Sequence, residues 1–352
     1  MRKLTGYNDI YDDLSYTAEQ KAQIAQRAAM AANAAQRTAR RRHHGFSKFV
    51  AAAACLVSVL TISAEAAGIP TPVSGILAPI FGGTVAQTEV IDKIGRPVDA
   101  SDTDNGITIS ADAIIGDEYN ACIVFTIRRD DGTALLPDGV TAQQLTLGGI
   151  CDVGFSKTGS SHGSAWFVDP VPGDNEIQYL YTISSDEPLN KGTCTVTFDG
   201  LSYFSSSEES VPVLEGKWKF RFDVDYEDTS VTLGSGETFQ QDGLNFTITE
   251  IRVSPIAVQV SYEADSEVQW TNAPSGRLPE EDRRQMERYL DNIQILLVKK
   301  DGSVIDMSSS GGSIRPENGR SYCTKGRVLE EVIPLEELES IQVGGISFPI
   351  TS

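Results

Sequence analysis

Histidine is the scarcest chemistry-bearing residue in this chain, with three in 352 residues, at positions 43, 44 and 162. A Ser-His-acid triad or a His-ligated zinc needs imidazoles that this count does not supply. Cysteine is nearly as sparse: five residues, none in the Cys-x-x-Cys spacing of a structural zinc knot. A phosphate-cradling Gly-Lys-Ser/Thr stretch and a dinucleotide fingerprint are both missing. Positive charge is short past Gly68, where 20 Lys/Arg stand against 44 Asp/Glu, whereas residues 1–48 hold nine against four. So acidic a bulk repels phosphates and excludes direct nucleic-acid binding.

Two motifs invite a chemical reading and fail it. "GSSHG" matches Gly-x-Ser-x-Gly at Gly159, Ser161 and Gly163. A nucleophile elbow needs a strand entering, a helix leaving and a separate histidine, yet His162 lies inside the motif. It reads as a loop, and the chain as a non-enzyme with no cofactor. "DASDTDNG" (Asp99–Gly106) and "DVDYED" (Asp223–Asp228) group carboxylates. Counted from Asp102, the twelfth position of a calcium loop is Ala113, so the EF-hand pattern breaks and no metal site is assigned.

What is present is one long apolar run, Phe49–Ala67, 19 residues with a single acid, Glu65. A spanning helix needs about 20 apolar residues, and a signal-peptide core is shorter. Cleavage at Ala64-Glu65-Ala66 is the competing reading, but the preceding 48 residues are too long for an ordinary signal. Arg37, Arg40, Arg41, Arg42 and Lys48 all flank the N-terminal side, and Gly68–Val90 has no Lys or Arg. The expected topology is a single-pass protein of the cell membrane, N-terminus cytoplasmic and the C-terminal domains outside.

The expected organisation is a cytoplasmic segment (1–45), a transmembrane helix (46–67), a juxtamembrane connector (68–104) and two domains (105–229 and 230–352). Within the first, Thr17 and Gln20 form a capping-box pattern before an alanine-rich helix. Tyr7, Ile10, Tyr11 and Leu14 are apolar anchors for a cytoplasmic partner. The connector "GIPTPVSGILAPIFGG" reads as stiff and broken by proline, with Ile76, Leu77, Ile80 and Phe81 placed on the membrane surface or against the first domain. Beyond it the periodicity is two, clearest in "KWKFRFDVDY": Trp218, Phe220, Phe222 and Val224 inward, Lys217, Lys219, Arg221 and Asp223 outward. The predicted fold is mainly β, two tandem immunoglobulin-like antiparallel β-sandwiches, with a short helix at "LPEEDRRQMERYLDN". The blocks "ITISADAIIGDEYNACIVFTI" and "FTITEIRVSPIAVQVSYEA" resemble each other. Cys122, Cys151 and Cys194 read either as the source of one disulfide, with Cys122 and Cys194 as the pair, or as small buried apolar residues.

In order, the basic-flanked span, "DNGITISADAIIGDEYNACIVFTI", "GKWKFRFDV", "LNFTITEIRVSPIAVQVSY" and "IPLEELESIQV" resemble the bacterial single-span proteins whose outer part is domain of unknown function 4179. The part after Val231 is similar to the sandwich domain that often follows it. None of these motifs is catalytic. The resemblance implies the layout of a membrane-bound anti-sigma factor, with an outer sensing domain and an inner segment that holds a sigma factor. The alternative is a cell-envelope protein whose outer domains bind wall polymer or a peptide, with no cytoplasmic partner.

Overall fold

The computed structural model describes residues 72–147, 151–155, 161–189, 192–205, 210–234, 236–271 and 278–351. The expected cytoplasmic and spanning helices lie outside these residues. Among the described residues no helix is long and apolar enough to cross a membrane.

The stretch read as a broken connector is a helical hairpin followed by a strand. Helix α1 (Val73–Phe81) starts directly after Pro72, and α2 (Val85–Ile94) follows. Val73, Leu77, Ile80 and Phe81 recur at one-turn intervals and are buried together. Pro72 lies at the cap, before the helix needs amide donors. Thr84 and Gln87 close a capping box at the start of α2, each side chain accepting from the other's backbone amide. Of the two placements expected for Leu77, Ile80 and Phe81, the observed one is against the first domain.

Eleven strands build the first sandwich: β1 (Gly95–Asp104), β2 (Ile107–Gly116), β3 (Asn120–Arg129), β4 (Leu145–Leu147), β5 (Cys151–Gly154), β6 (Ser161–Val168), β7 (Glu176–Ser185), β8 (Thr193–Phe198), β9 (Leu201–Phe204), β10 (Ser210–Leu214) and β11 (Trp218–Asp223). They pair antiparallel as β1-β2-β3-β7-β6, β10-β9-β4 and β11-β8-β5. The first of these sheets and the other two share one core. Within it Phe125 meets Phe198 edge-on at 5.5 Å between ring centroids, and the buried Trp218 indole donates to the Ile107 carbonyl at 2.9 Å. The inward and outward residues expected along β11 are the buried and exposed ones. Asn105 and Gly106 both take positive φ between β1 and β2, the geometry of a two-residue hairpin turn.

The second sandwich contains β12 (Val231–Leu233), β13 (Thr238–Gln241), β14 (Leu244–Val253), β15 (Ala257–Ala264), α3 (Glu280–Met286), β16 (Ile295–Lys299), β17 (Val304–Asp306), β18 (Gly312–Glu317), β19 (Arg320–Val328), β20 (Leu338–Val343) and β21 (Ile346–Pro349). One sheet runs β12-β14-β15-β19-β18 with β13 also on β14, and the other runs β17-β16-β20-β21. Helix α3 falls where a helix was expected and continues into a wider π turn, Glu287–Asp291.

A third apolar cluster ties these parts together. The register of β2 slips between Ala111 and Ala113, so Ala113 and Ile115 face away from the first core. With Cys122 and Val124 of β3 they meet Leu77, Ile91 and Ile94 of the hairpin, and Ile256, Ala257, Val328 and Val332 of the second sandwich. Each fully buried aliphatic side chain there contributes about 1.5–3 kcal/mol.

Leu77→Ala is expected to lower the unfolding free energy by about 2–5 kcal/mol. Because its cluster belongs to both sandwiches, heat denaturation followed by circular dichroism and by calorimetry should remain a single transition. Two resolved transitions in the unaltered protein would mean that the sandwiches unfold independently.

Candidate functional site: the polar joint between the sandwiches

Around the shared cluster runs a set of polar contacts, and it is the most organised constellation among the described residues. Two tight turns meet at its centre. In the turn joining β2 to β3, the Asp117 amide donates to the Asn120 carbonyl at 2.8 Å; in the turn joining β14 to β15, the Ser254 amide donates to the Ala257 carbonyl at 2.9 Å. These are the corresponding turns of the two blocks whose sequences resemble each other. The Ser254 hydroxyl donates to Asp117 Oδ2 at 2.5 Å. Asp117 Oδ1 accepts from the Tyr119 amide, the Asn120 amide and Asn120 Nδ2 at 2.9, 2.8 and 2.8 Å. Ser254 Oγ in turn accepts from the Ala257 amide at 3.0 Å. Both side chains are buried.

Further contacts cross the joint. Arg252 pairs with Glu118 and with Glu250 on its own strand, and its guanidinium lies 4.6 Å from the centre of the Tyr119 ring. Gln259 Nε2 donates to the Ser185 carbonyl at 2.6 Å. His162 Nε2 meets the Gly326 carbonyl at 3.0 Å. The hairpin joins in through Gln87 Nε2 to the Val332 carbonyl at 3.0 Å, and through the Val332 amide to the Phe81 carbonyl at 2.8 Å.

Burial holds the Asp117 carboxyl above its ordinary range, against the opposing pull of the Ser254 and Asn120 hydrogen bonds. Such a group binds more protons in the fold than in the open chain, so its contribution to stability falls as pH rises through that window. Burial pushes the His162 ring the other way, below its ordinary value, with the Gly326 hydrogen bond and the Asp186 charge opposing. Because a carbonyl only accepts, the Nε2 that faces Gly326 carries a hydrogen.

The described part of "GSSHG", Ser161 to Gly163, is strand in place of the expected loop. Ser161 and His162 open strand β6 and pair with Ser185 and Ser184. Gly163 is there because β6 lies hard against β7: a Cβ on it would stand 2.0 Å from the Thr182 carbonyl oxygen. The motif is thus an interface element with no elbow geometry. Of the two readings of the cysteines, a Cys122–Cys194 disulfide or small buried apolar residues, the structure has the second: both are free, buried thiols, Cys122 facing the shared cluster and Cys194 the first core, on opposite sides of the five-stranded sheet. Burial raises the Cys194 and Cys323 thiols to about 12 and Cys122 higher still, so all three are inert. Tyr7, Ile10, Tyr11 and Leu14 lie outside the described residues.

In the first carboxylate group, Asp104 and Asp102 on β1 serve as backbone acceptors for the amides of Lys217, just before β11, and Lys219 at 2.9 and 2.8 Å. Among the described residues no group of three or more His, Cys, Asp and Glu side chains is placed to hold a metal ion. One buried amine was not foreseen. Lys325 is fully buried, and its ammonium donates to the Leu290, Asp291 and Ile293 carbonyls at 2.6, 3.2 and 3.1 Å. Burial lowers it to about 8, but with its hydrogens engaged it caps the turn after α3 and faces no open space.

No family model and no curated protein matches the chain. The resemblance to the domain of unknown function 4179 proteins rests on the basic-flanked run and on the strand and turn motifs of the sequence. Among solved structures, a crystal structure of a conserved domain protein from Bacillus anthracis aligns with 14% identity over 71% of this chain and 76% of that one, with a TM-score of 0.44.

Ser254→Ala is expected to cost about 1–3 kcal/mol, and Asp117→Ala more, because it strands the Ser254 hydroxyl and three other donors. Denaturant unfolding of both variants and their combination should give a coupling of about 0.5–3 kcal/mol. Strict additivity would show that the two turns do not act as a unit.

Proposed function

We propose that the chain is a single-pass membrane regulator of the anti-sigma type. Residues 1–45 hold a cytoplasmic sigma factor, and two immunoglobulin-like sandwiches outside the membrane form the sensing part. The observation that carries this reading is the division of charge about Phe49–Ala67, basic before it and acidic after it. The tyrosine- and leucine-bearing segment around Tyr11 and Leu14 has too little chain to build a core of its own, which favours folding onto a partner. The helical hairpin adds support. It begins at Val73, just past the end of the apolar run, and packs on both sandwiches, a short stiff route between span and outer body. The Asp117 carboxyl, the Ser254 hydroxyl and the Gln259 amide of the joint are engaged with neighbouring turns and carbonyls, which favours a structural joint over a reacting centre.

A second reading is an envelope protein that binds wall polymer or a peptide and has no inner partner. The aromatic side chains of Phe204 on the first sandwich and Trp270 on the second, 45% and 40% exposed, each offer a ring face on which a sugar or peptide can stack.

Co-purification from membranes separates the two. The full chain should retain a sigma factor, and Tyr11→Ala combined with Leu14→Ala should lose it while the outer sandwiches stay folded. Deletion of residues 1–36 should then release the regulated genes. A deletion strain that keeps every phenotype sinks the regulator and leaves the envelope reading standing.

A further inference from the structure

We propose that the outer face of helix α1 and the tip of its hairpin lie on the lipid headgroups, seating the outer body against the membrane surface. The inference rests on the reading that Phe49–Ala67 spans the bilayer. It adds a lateral contact with lipid that a span alone does not require.

Helix α1 has no charged or polar side. Val73, Leu77, Ile80 and Phe81 form its inner face and are spent on the shared cluster. The opposite face carries Pro72, Ile76, Pro79 and Gly83, which are four, three and four residues apart, the spacing that keeps positions on one side of a helix. Pro72, Pro79 and Gly83 are exposed, and Ile76 is half-buried. The one polar side chain of α1, Ser74, donates its hydroxyl to Asp92 of α2 at 2.9 Å. Val85, beside Gly83 at the tip, is 75% exposed, the highest value for a large apolar side chain among the described residues. From Gly68 to Thr88 the sequence holds no charged residue. A helix on a water-facing surface ordinarily sets charged and polar side chains opposite its buried stripe, and one that is apolar all round is covered on both sides. Helix α2 follows that ordinary pattern, with Glu89, Asp92 and Lys93 exposed. The uncovered apolar surface is thus confined to α1 and the tip.

The chain ahead of α1 names what covers it. Five residues, Gly68–Pro72, separate the end of the apolar run from Val73. Fully extended they reach at most about 18 Å, and the headgroup layer on each side of the hydrocarbon is itself about 5–8 Å deep. A span ending at Ala67 therefore holds the start of α1 close to lipid. The inner face is already occupied, so the outer one is the face left to meet it. An uncharged face gives up no ionic hydration on entering that layer.

The test uses the full chain reconstituted into phosphatidylcholine vesicles. The photoreactive residue p-benzoylphenylalanine replaces Pro79 or Val85, both exposed. As controls it replaces Ala134, exposed in the loop at the end of β3 away from the hairpin, or Val304, exposed on the second sandwich. Irradiation should join lipid to the peptides carrying positions 79 and 85, read by mass spectrometry, and that product should be lost at 134 and 304. Resistance to alkaline carbonate extraction reports the span separately. A chain that resists extraction but takes up no lipid at 79 and 85, or takes it up equally at 134 and 304, overturns the proposal and leaves the span standing. A chain released by carbonate sinks the span and the proposal together. A cross-link from 79 or 85 to a second copy, or back to residues ahead of Pro72, gives the face another occupant and equally overturns the proposal.

Discussion

The molecule depends on one constraint: the apolar outer face of the five-stranded sheet has to be covered. A sandwich normally leaves the outer faces of its sheets to water, with polar side chains alternating outward. Here Ala113, Ile115, Cys122, Val124 and Leu180 point away from the first core and are buried. The helical hairpin covers one part of that surface and the second sandwich another. Removing either would leave apolar area in water, so the three parts are bound by the same hydrophobic term that holds each core.

Polar contacts then fix the orientation that the apolar contacts leave open. Hydrophobic burial has no direction, and two greasy faces can slide. The Asp117 carboxyl and the Ser254 hydroxyl lock one turn onto the other at a single register. Arg252 on Glu118, Gln259 on the Ser185 carbonyl, and His162 on the Gly326 carbonyl add further pins. Each pin joins groups that would be costly if stranded, which gives the joint specificity in place of raw strength.

The strands were legible wherever one face is wet. In β11, Trp218, Phe220 and Phe222 alternate with Lys219 and Arg221 because water lies on one side and the core on the other. Where both faces are dry the alternation disappears, as in Ala113-Ile114-Ile115, Ala121 to Phe125, and Ile256-Ala257-Val258. Those continuous runs signal double-sided burial, but a run does not say what covers it. The hairpin was obscured because Pro72 and Pro79 drew the reading toward a broken connector, although Val73, Leu77, Ile80 and Phe81 keep a helical spacing. The joint has no signature in one dimension: Asp117 and Ser254 are 137 residues apart, and each serves first as the side-chain cap of its own turn. The two readings of the cysteines stayed open for a related reason. Strand periodicity tells alternate faces apart, and it does not say that the face carrying Cys122 belongs to a different core from Cys194.

Because the hairpin is stitched to both sandwiches at the very start of the described chain, it acts as a yoke. Tension applied ahead of Pro72 is delivered across α1 and α2 to Val332 on one side and to β2 and β3 on the other. Neither half takes the load alone. Twisting one relative to the other first requires shearing Phe81 and Leu77 out of their seats, so the two sandwiches move as one piece.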